Sequence, residues 1–181
     1  MLAHPAFVTV AGLMHRKGIA ELIGAFAKVA SIDPKVNLYI VGGGTELELF
    51  SRLASESGAG DRIHFEGFHA DPRAYLRAAD IFVIASRRES FGLAILEARE
   101  AGCAIIATQV DGIPELLDAG RCGLLVPPLD PAAMAGAMLR LLGDGALQKS
   151  LRREALVGLE RFTVERMADE VMAVYEELLA K

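Results

Sequence analysis

Tryptophan is absent, cysteine occurs twice, and nothing in the 181 residues approaches the roughly 18 consecutive apolar positions of a membrane span. Each absence removes a class of protein. Cys103 and Cys122 are too few for a disulfide framework and have no partners at metal-ligand spacing, so both read as small packing hydrophobes. No Asp-x-Asp pair occurs, and no group of His, Cys and carboxylates is spaced to hold a metal. The pattern GxxxxGK[ST] is missing, which argues against a P-loop nucleotidase, and GxSxG is missing, which leaves a serine-hydrolase elbow without support. Gly42-Gly43-Gly44 does not make the GxGxxG dinucleotide fingerprint. Met1 to Pro5 lack the basic start and apolar run of a signal peptide, so the expected location is cytoplasmic. A formal charge of −5 speaks against a general nucleic-acid surface. An anionic ligand would have to be met by a few placed residues.

Apolar residues make up 52% of the chain and charged residues 24%, an ordinary globular composition at a length that suits one α/β domain. Short apolar runs alternate with amphipathic stretches. Phe7–Val10, Val36–Val41, Ile63–Phe65, Ile81–Ala85, Ala104–Ala107 and Leu124–Val126 read as strands. VNLYIV and IFVIA are almost wholly apolar, as parallel strands covered on both faces are. Ile19–Ala30, Glu46–Ser57, Pro72–Ala78, Leu93–Ala101 and Pro131–Leu142 read as helices, and a last helix follows Thr163 to about residue 180. The alternation predicts a single Rossmann-like, doubly wound parallel sheet of about six strands with helices on both faces. Ligands of such sheets sit beyond the carboxyl ends of the strands, which directs attention to 12–18, 42–45, 86–92 and 109–114.

Two of those loops carry chemistry. In Arg87-Arg88-Glu89-Ser90-Phe91-Gly92-Leu93, Ser90 is a suitable cap for a helix starting near Phe91. The first amides of that helix, at Phe91, Gly92 and Leu93, would lack acceptors and form an anion site suited to a diphosphate. Glu89 and Glu97 frame the helix start. They could face one ligand as two hydroxyl-binding carboxylates, but their spacing alone favours a dipole-facing Glu89 and a solvated Glu97. The loop His15-Arg16-Lys17-Gly18 sets two cations beside the first strand, either as a phosphate clamp or as a solvated turn. Arg87 and Arg88 read as solvated, and His15, His64 and His69 have no evident partners.

Taken in order, AGLMHRKGIAELIGAF, LYIVGGGTELELFSRLA, IHFEGF, ADIFVIASRRESFGLAILEAREAGCAIIAT, VDGIPELL, GLLVPPLDPAAMAGAM and FTVERMADEVMAVYEELL resemble the carboxyl-terminal domain of group 1 glycosyltransferases, the donor half of a GT-B fold. The most diagnostic feature is an E-x7-E pair bracketing F-G-L. The resemblance implies that Glu89 stands near the donor sugar and its anomeric carbon as the catalytic carboxylate. It implies that Phe91, Gly92 and Leu93 hold sugar and diphosphate through their backbone, that Glu97 takes the ribose hydroxyls, and that Lys17 neutralises the diphosphate. Gly67 and Phe68 fall where the family's loop meets the nucleobase. One departure stands out: the family's G-R-L reads Ala11-Gly12-Leu13 here, so its arginine is absent, and Arg16 is the candidate to replace it.

The implied function is transfer of a sugar from a nucleoside-diphosphate sugar, a UDP-sugar or GDP-sugar, to an acceptor hydroxyl. Anomeric configuration would be retained, with no metal and no cofactor. The amino-terminal acceptor domain would be absent from residues 1–181, and any peripheral membrane contact would lie on that half. Alternatives are a nucleotide-sugar epimerase of the same two-domain plan and a non-catalytic nucleotide-sensing module.

Overall fold

The computed structural model describes residues 2–179. Six strands, β1 (Ala6–Val10), β2 (Asn37–Val41), β3 (Ile63–Gly67), β4 (Ile81–Ile84), β5 (Ala104–Thr108) and β6 (Leu124–Val126), form one parallel sheet in the order β3-β2-β1-β4-β5-β6. Eight helices connect or follow them: α1 (Ile19–Ile32), α2 (Leu47–Glu56), α3 (Arg73–Ala78), α4 (Leu93–Glu100), α5 (Ile113–Leu116), α6 (Pro131–Gly143), α7 (Gly145–Ala155) and α8 (Val164–Leu179). This is the doubly wound architecture expected from the alternation of apolar runs.

The strands show why those runs are continuous. Phe7, Leu38, Ile40, Ile81, Val83 and Ile106 enter one apolar layer, packed by α1, α2 and α6. Their sequence neighbours Val8, Tyr39, Val41, Phe82, Ile84 and Ile105 enter the other, packed by α3, α4 and α5. Successive side chains of a strand point to opposite faces, so a strand covered twice must be apolar at every position. Cys103 and Cys122 are buried in the second layer, and burial pushes the Cys103 thiol up to about 11.

Two helices, the short α5 and α7, were not expected from the sequence. Helix α7 was not foreseen, because its sequence GALQKSLRREA is polar and buries only Leu151 and Ala155; Asp144, whose carboxylate accepts the Leu147 amide at 2.8 Å, is its start signal. Helix α8 runs from Val164 to Leu179, and its expected end at residue 180 lies outside the described residues. Every residue of α8 is exposed, including its periodic Val164, Met167, Val171, Tyr175 and Leu178. No helix among the described residues is long and apolar enough to cross a membrane.

The layer of α4 contains a charge. Arg99, fully buried at 0% exposure, donates from Nε to the Ala155 carbonyl (2.9 Å), from Nη1 to that of Leu116 (2.7 Å) and from Nη2 to that of Val157 (2.5 Å). Asp118 lies 4.0 Å away and the Phe162 ring 5.8 Å below the guanidinium. The cation thus satisfies carbonyls at the carboxyl ends of α5 and α7, where a positive charge also opposes the helix dipole. It ties both ends to α4. Replacing Arg99 with Leu strands three carbonyls, those of Ala155 and Leu116 in buried contacts, and is expected to cost about 3–5 kcal/mol, a fall of roughly 10 °C in Tm. Thermal unfolding checks this, and a fall under about 3 °C would contradict the anchoring role.

Candidate functional site

Strand order reverses between β1 and β4: β1 pairs with β2 on one side and β4 on the other. The loops leaving these two strands therefore diverge and leave a crevice at their carboxyl ends. Backbone hydrogen bonds fix the loops to one another. The Arg87 and Arg88 amides donate to the Arg16 carbonyl (2.8 and 3.4 Å), and the Leu13 amide donates to that of Gly43 (2.9 Å). The contact is too close for side chains at Gly18, which has φ +65° and whose added Cβ would lie 1.9 Å from the Ala85 carbonyl oxygen.

A cavity of about 570 Å³ occupies the crevice. It is lined by Arg16 and Lys17 from the loop after β1, Phe68 after β3, and Glu89, Phe91, Gly92, Leu93 and Glu97 from the loop after β4 and α4. Gly67 adjoins it at the end of β3, where its carbonyl accepts the Gly42 amide at 2.8 Å. The residues singled out in sequence are thus brought to one place.

Glu89 is buried although charged. Lys17 Nζ reaches its Oε2 at 2.5 Å, the Ser86 hydroxyl donates to the same oxygen at 3.1 Å, and Oε1 makes no hydrogen bond among the described residues. A buried carboxylate needs such partners to remain stable. An ammonium has three donors, so pairing with Glu89 leaves Lys17 two N–H groups for an anion in the cavity. The Arg16 guanidinium is exposed and has no partner among the described residues.

The helix start differs from expectation. Ser90 does not cap α4; the cap position is Gly92, at φ +91°, and α4 begins at Leu93. A left-handed residue cannot continue a helix, so the start moves two residues along the chain. The amides of Phe91, Gly92, Leu93 and Ala94 make no hydrogen bond among the described residues, and all four residues line the cavity. An added Cβ at Gly92 would approach Leu116 Cδ1 at 3.0 Å, so a bulkier residue there meets both strain and crowding.

Sequence reading missed two supports. Asp111, after β5, accepts the Glu89 amide at 2.7 Å and Arg88 Nε at 3.2 Å. The Glu89 amide first, and Arg88 second, hold its carboxyl below the usual range despite a smaller upward push from burial. Arg87, expected to be solvated, is half-buried in an ion pair with Glu21 and a hydrogen bond to His15, because its backbone is drawn onto the Arg16 carbonyl. The other unassigned histidines also have partners: His64 stacks on Tyr39 and meets Asn37 Oδ1 at 3.1 Å, and His69 lies 3.2 Å from the Tyr75 hydroxyl. No group of three or more His, Cys, Asp or Glu is placed to hold a metal among the described residues.

Burial raises the Glu97 carboxyl above the ordinary glutamate range, partly offset by Arg73. Ionised Glu97 is therefore disfavoured in the folded chain, and its contribution to stability is lost as pH rises through the unfolded value and beyond. An NMR titration of its side-chain carboxyl should give a midpoint above that of a free glutamate, and Glu97→Gln should flatten the stability profile across that window. A midpoint at or below the ordinary value would contradict the geometry.

Sheet order and site together define a doubly wound α/β domain with a crevice at its switch point lined by two cations and four free amides. Residues 4–144 match the family model "Glycosyl transferases group 1", and the chain belongs to that family. It is 32% identical over 179 residues to the lipopolysaccharide core biosynthesis glycosyltransferase LpsE of Rhizobium meliloti, covering 97% of this chain and 50% of that protein. It is 33% identical over 178 residues to the D-inositol 3-phosphate glycosyltransferase of Corynebacterium jeikeium, covering 93% and 42%. Among solved structures, sucrose-phosphate synthase of Thermosynechococcus elongatus superposes with a TM-score of 0.87 at 32% identity, covering 99% of this chain and 47% of that one. The Anabaena protein HepE, solved in complex with UDP, has the same fold at a TM-score of 0.89 and 24% identity, covering 97% and 49%. The chain spans about half the length of the curated relatives it matches. The expected kinship with the carboxyl-terminal domain of group 1 glycosyltransferases thus holds.

Proposed function

We propose that this chain is the donor-binding half of a retaining, metal-independent glycosyltransferase. Its substrate is a nucleoside-diphosphate sugar, with UDP and GDP the first bases to try. The observation that carries this reading is the row of free amides at Phe91–Ala94, facing the same cavity as Lys17, Glu89 and Glu97. Free N–H groups at a helix start attract a diphosphate, and Lys17 and Arg16 supply the positive charge that a metal would otherwise bring. Glu97, deeper along α4, accepts the ribose hydroxyls. Gly67 and Phe68 border the base, and Glu89 accepts hydrogen bonds from the sugar.

In the reaction, the bond between the anomeric carbon and the diphosphate oxygen breaks and its electron pair leaves with the diphosphate, while the acceptor hydroxyl oxygen bonds to that carbon and gives its proton to the departing diphosphate oxygen. Lys17, Arg16 and the amides stabilise that developing charge, and such preorganised stabilisation is often the largest catalytic contribution. Glu89 stabilises the positive charge left at the anomeric carbon. It is not assigned as a covalent nucleophile. The second wall of the cleft, with the rest of the acceptor's contacts, belongs to an amino-terminal domain in the whole protein, and the exposed apolar face of α8 is the surface assigned to it.

UDP or GDP at ten times its Kd should raise Tm by about 3–6 °C, equally with Mg²⁺ and with EDTA. Lys17→Ala should abolish the shift. Arg16→Ala should weaken binding about ten-fold, and adding Gly12→Arg to that variant should restore it. Position 12 accepts a side chain once the unbranched Met14 shifts by a few tenths of an ångström: a Cβ there meets the Met14 Cε at 3.2 Å and the Gly43 carbonyl oxygen at 3.8 Å. A shift that vanishes in EDTA would overturn metal independence, and a silent Arg16→Ala would remove Arg16 from the clamp.

A further inference from the structure

A second groove, of about 370 Å³, adjoins the donor cavity and is walled by Arg16, Arg88, Glu89, Ser90 and Asp111. It shares Arg16, Glu89 and Ser90 with that cavity, but is completed by Asp111 after β5 where the donor cavity is completed by Gly42 and Gly43 after β2. Two ligands seated in the two spaces would therefore meet at Glu89.

The groove's carboxylates are already engaged. Asp111 Oδ2 accepts both the Glu89 amide (2.7 Å) and Arg88 Nε (3.2 Å), and Glu89 is paired with Lys17 at 2.5 Å. The two arginines of the groove keep donors free. The terminal amino groups of Arg88 and the whole Arg16 guanidinium have no partner among the described residues, nor does the Ser90 hydroxyl. Arg16 and Arg88 thus face Asp111 and a Glu89 already paired with Lys17, in a chain whose formal charge is −5. The placement is built into the backbone, since the Arg88 amide donates to the Arg16 carbonyl and brings the two arginines onto one wall. Asp111, which orients the Arg88 fork, holds a left-handed backbone at φ +45°.

We infer that this groove receives the acceptor, and that the acceptor bears a phosphate monoester close to the hydroxyl that is glycosylated. The unpaired Arg16 guanidinium, the terminal amino groups that Arg88 keeps free while its Nε holds Asp111, and a hydroxyl match the charge and the three terminal oxygens of a phosphate dianion better than a single carboxylate. The inference rests on the donor cavity being assigned correctly. The same oxyanion chemistry has one other source, the donor's own diphosphate reaching across Arg16.

Glycerol 3-phosphate serves as probe and glycerol as neutral control, titrated at low salt into the 181-residue chain with and without saturating UDP. Glycerol 3-phosphate should bind the UDP-saturated chain while glycerol does not. Arg88→Ala should weaken glycerol 3-phosphate about ten-fold and leave the UDP affinity within about two-fold. Arg88 is 79% exposed, so the variant is expected to fold. Competition between UDP and glycerol 3-phosphate would give the groove to the donor and overturn the inference, as would an unchanged affinity in Arg88→Ala. If UDP fails to bind while glycerol 3-phosphate binds through Arg88, the donor reading falls and the acceptor assignment with it, leaving an anion site. If UDP binds and glycerol 3-phosphate does not, the groove proposal alone falls.

Discussion

The ion pair between Lys17 and Glu89 joins the loop after β1 to the loop after β4 at the point where the sheet reverses direction. Both partners are largely buried, so neither is stable there alone. The pair needs Gly18 to let the loops touch, the Arg16 carbonyl to receive the next loop's amides, and Asp111 to hold the Glu89 backbone. In return it fixes a carboxylate and an ammonium beside four free amides. Scaffold and chemistry meet in this one contact.

The rest of the domain keeps that contact rigid. Alternate strand residues fill two apolar layers, and Arg99 ties the carboxyl ends of α5 and α7 to the helix that carries Glu97. Since α5 follows the Asp111 loop, the supports of both glutamates converge on the same buried cation. Beyond it the packing stops. Helix α8 buries none of its apolar stripe, in keeping with a chain that spans half of its relatives.

Much of this is legible in the sequence, for reasons that differ by level. Strands such as IFVIA reveal themselves because double coverage demands unbroken apolar character. Glu89, Glu97 and Lys17 emerge once the ordered segments resemble a family, whereas their spacing alone does not mark them as a site. Other features are tertiary and leave no local mark. Asp111 holds Glu89 across 22 residues, and Arg99 finds its acceptors as far as 58 residues away. Arg87 looks like a surface charge until the fold draws it onto Glu21. Ser90 misleads because capping preference says nothing of Gly92 turning left-handed two residues later.

The central claim is that the amides starting α4 receive the diphosphate. Backbone NMR of the chain titrated with UDP tests it directly. The account predicts that the largest amide shifts fall on Phe91, Gly92, Leu93 and Ala94, with smaller ones through Arg16–Gly18. Shifts concentrated away from the carboxyl ends of β1 and β4, with residues 91–94 unmoved, would contradict it.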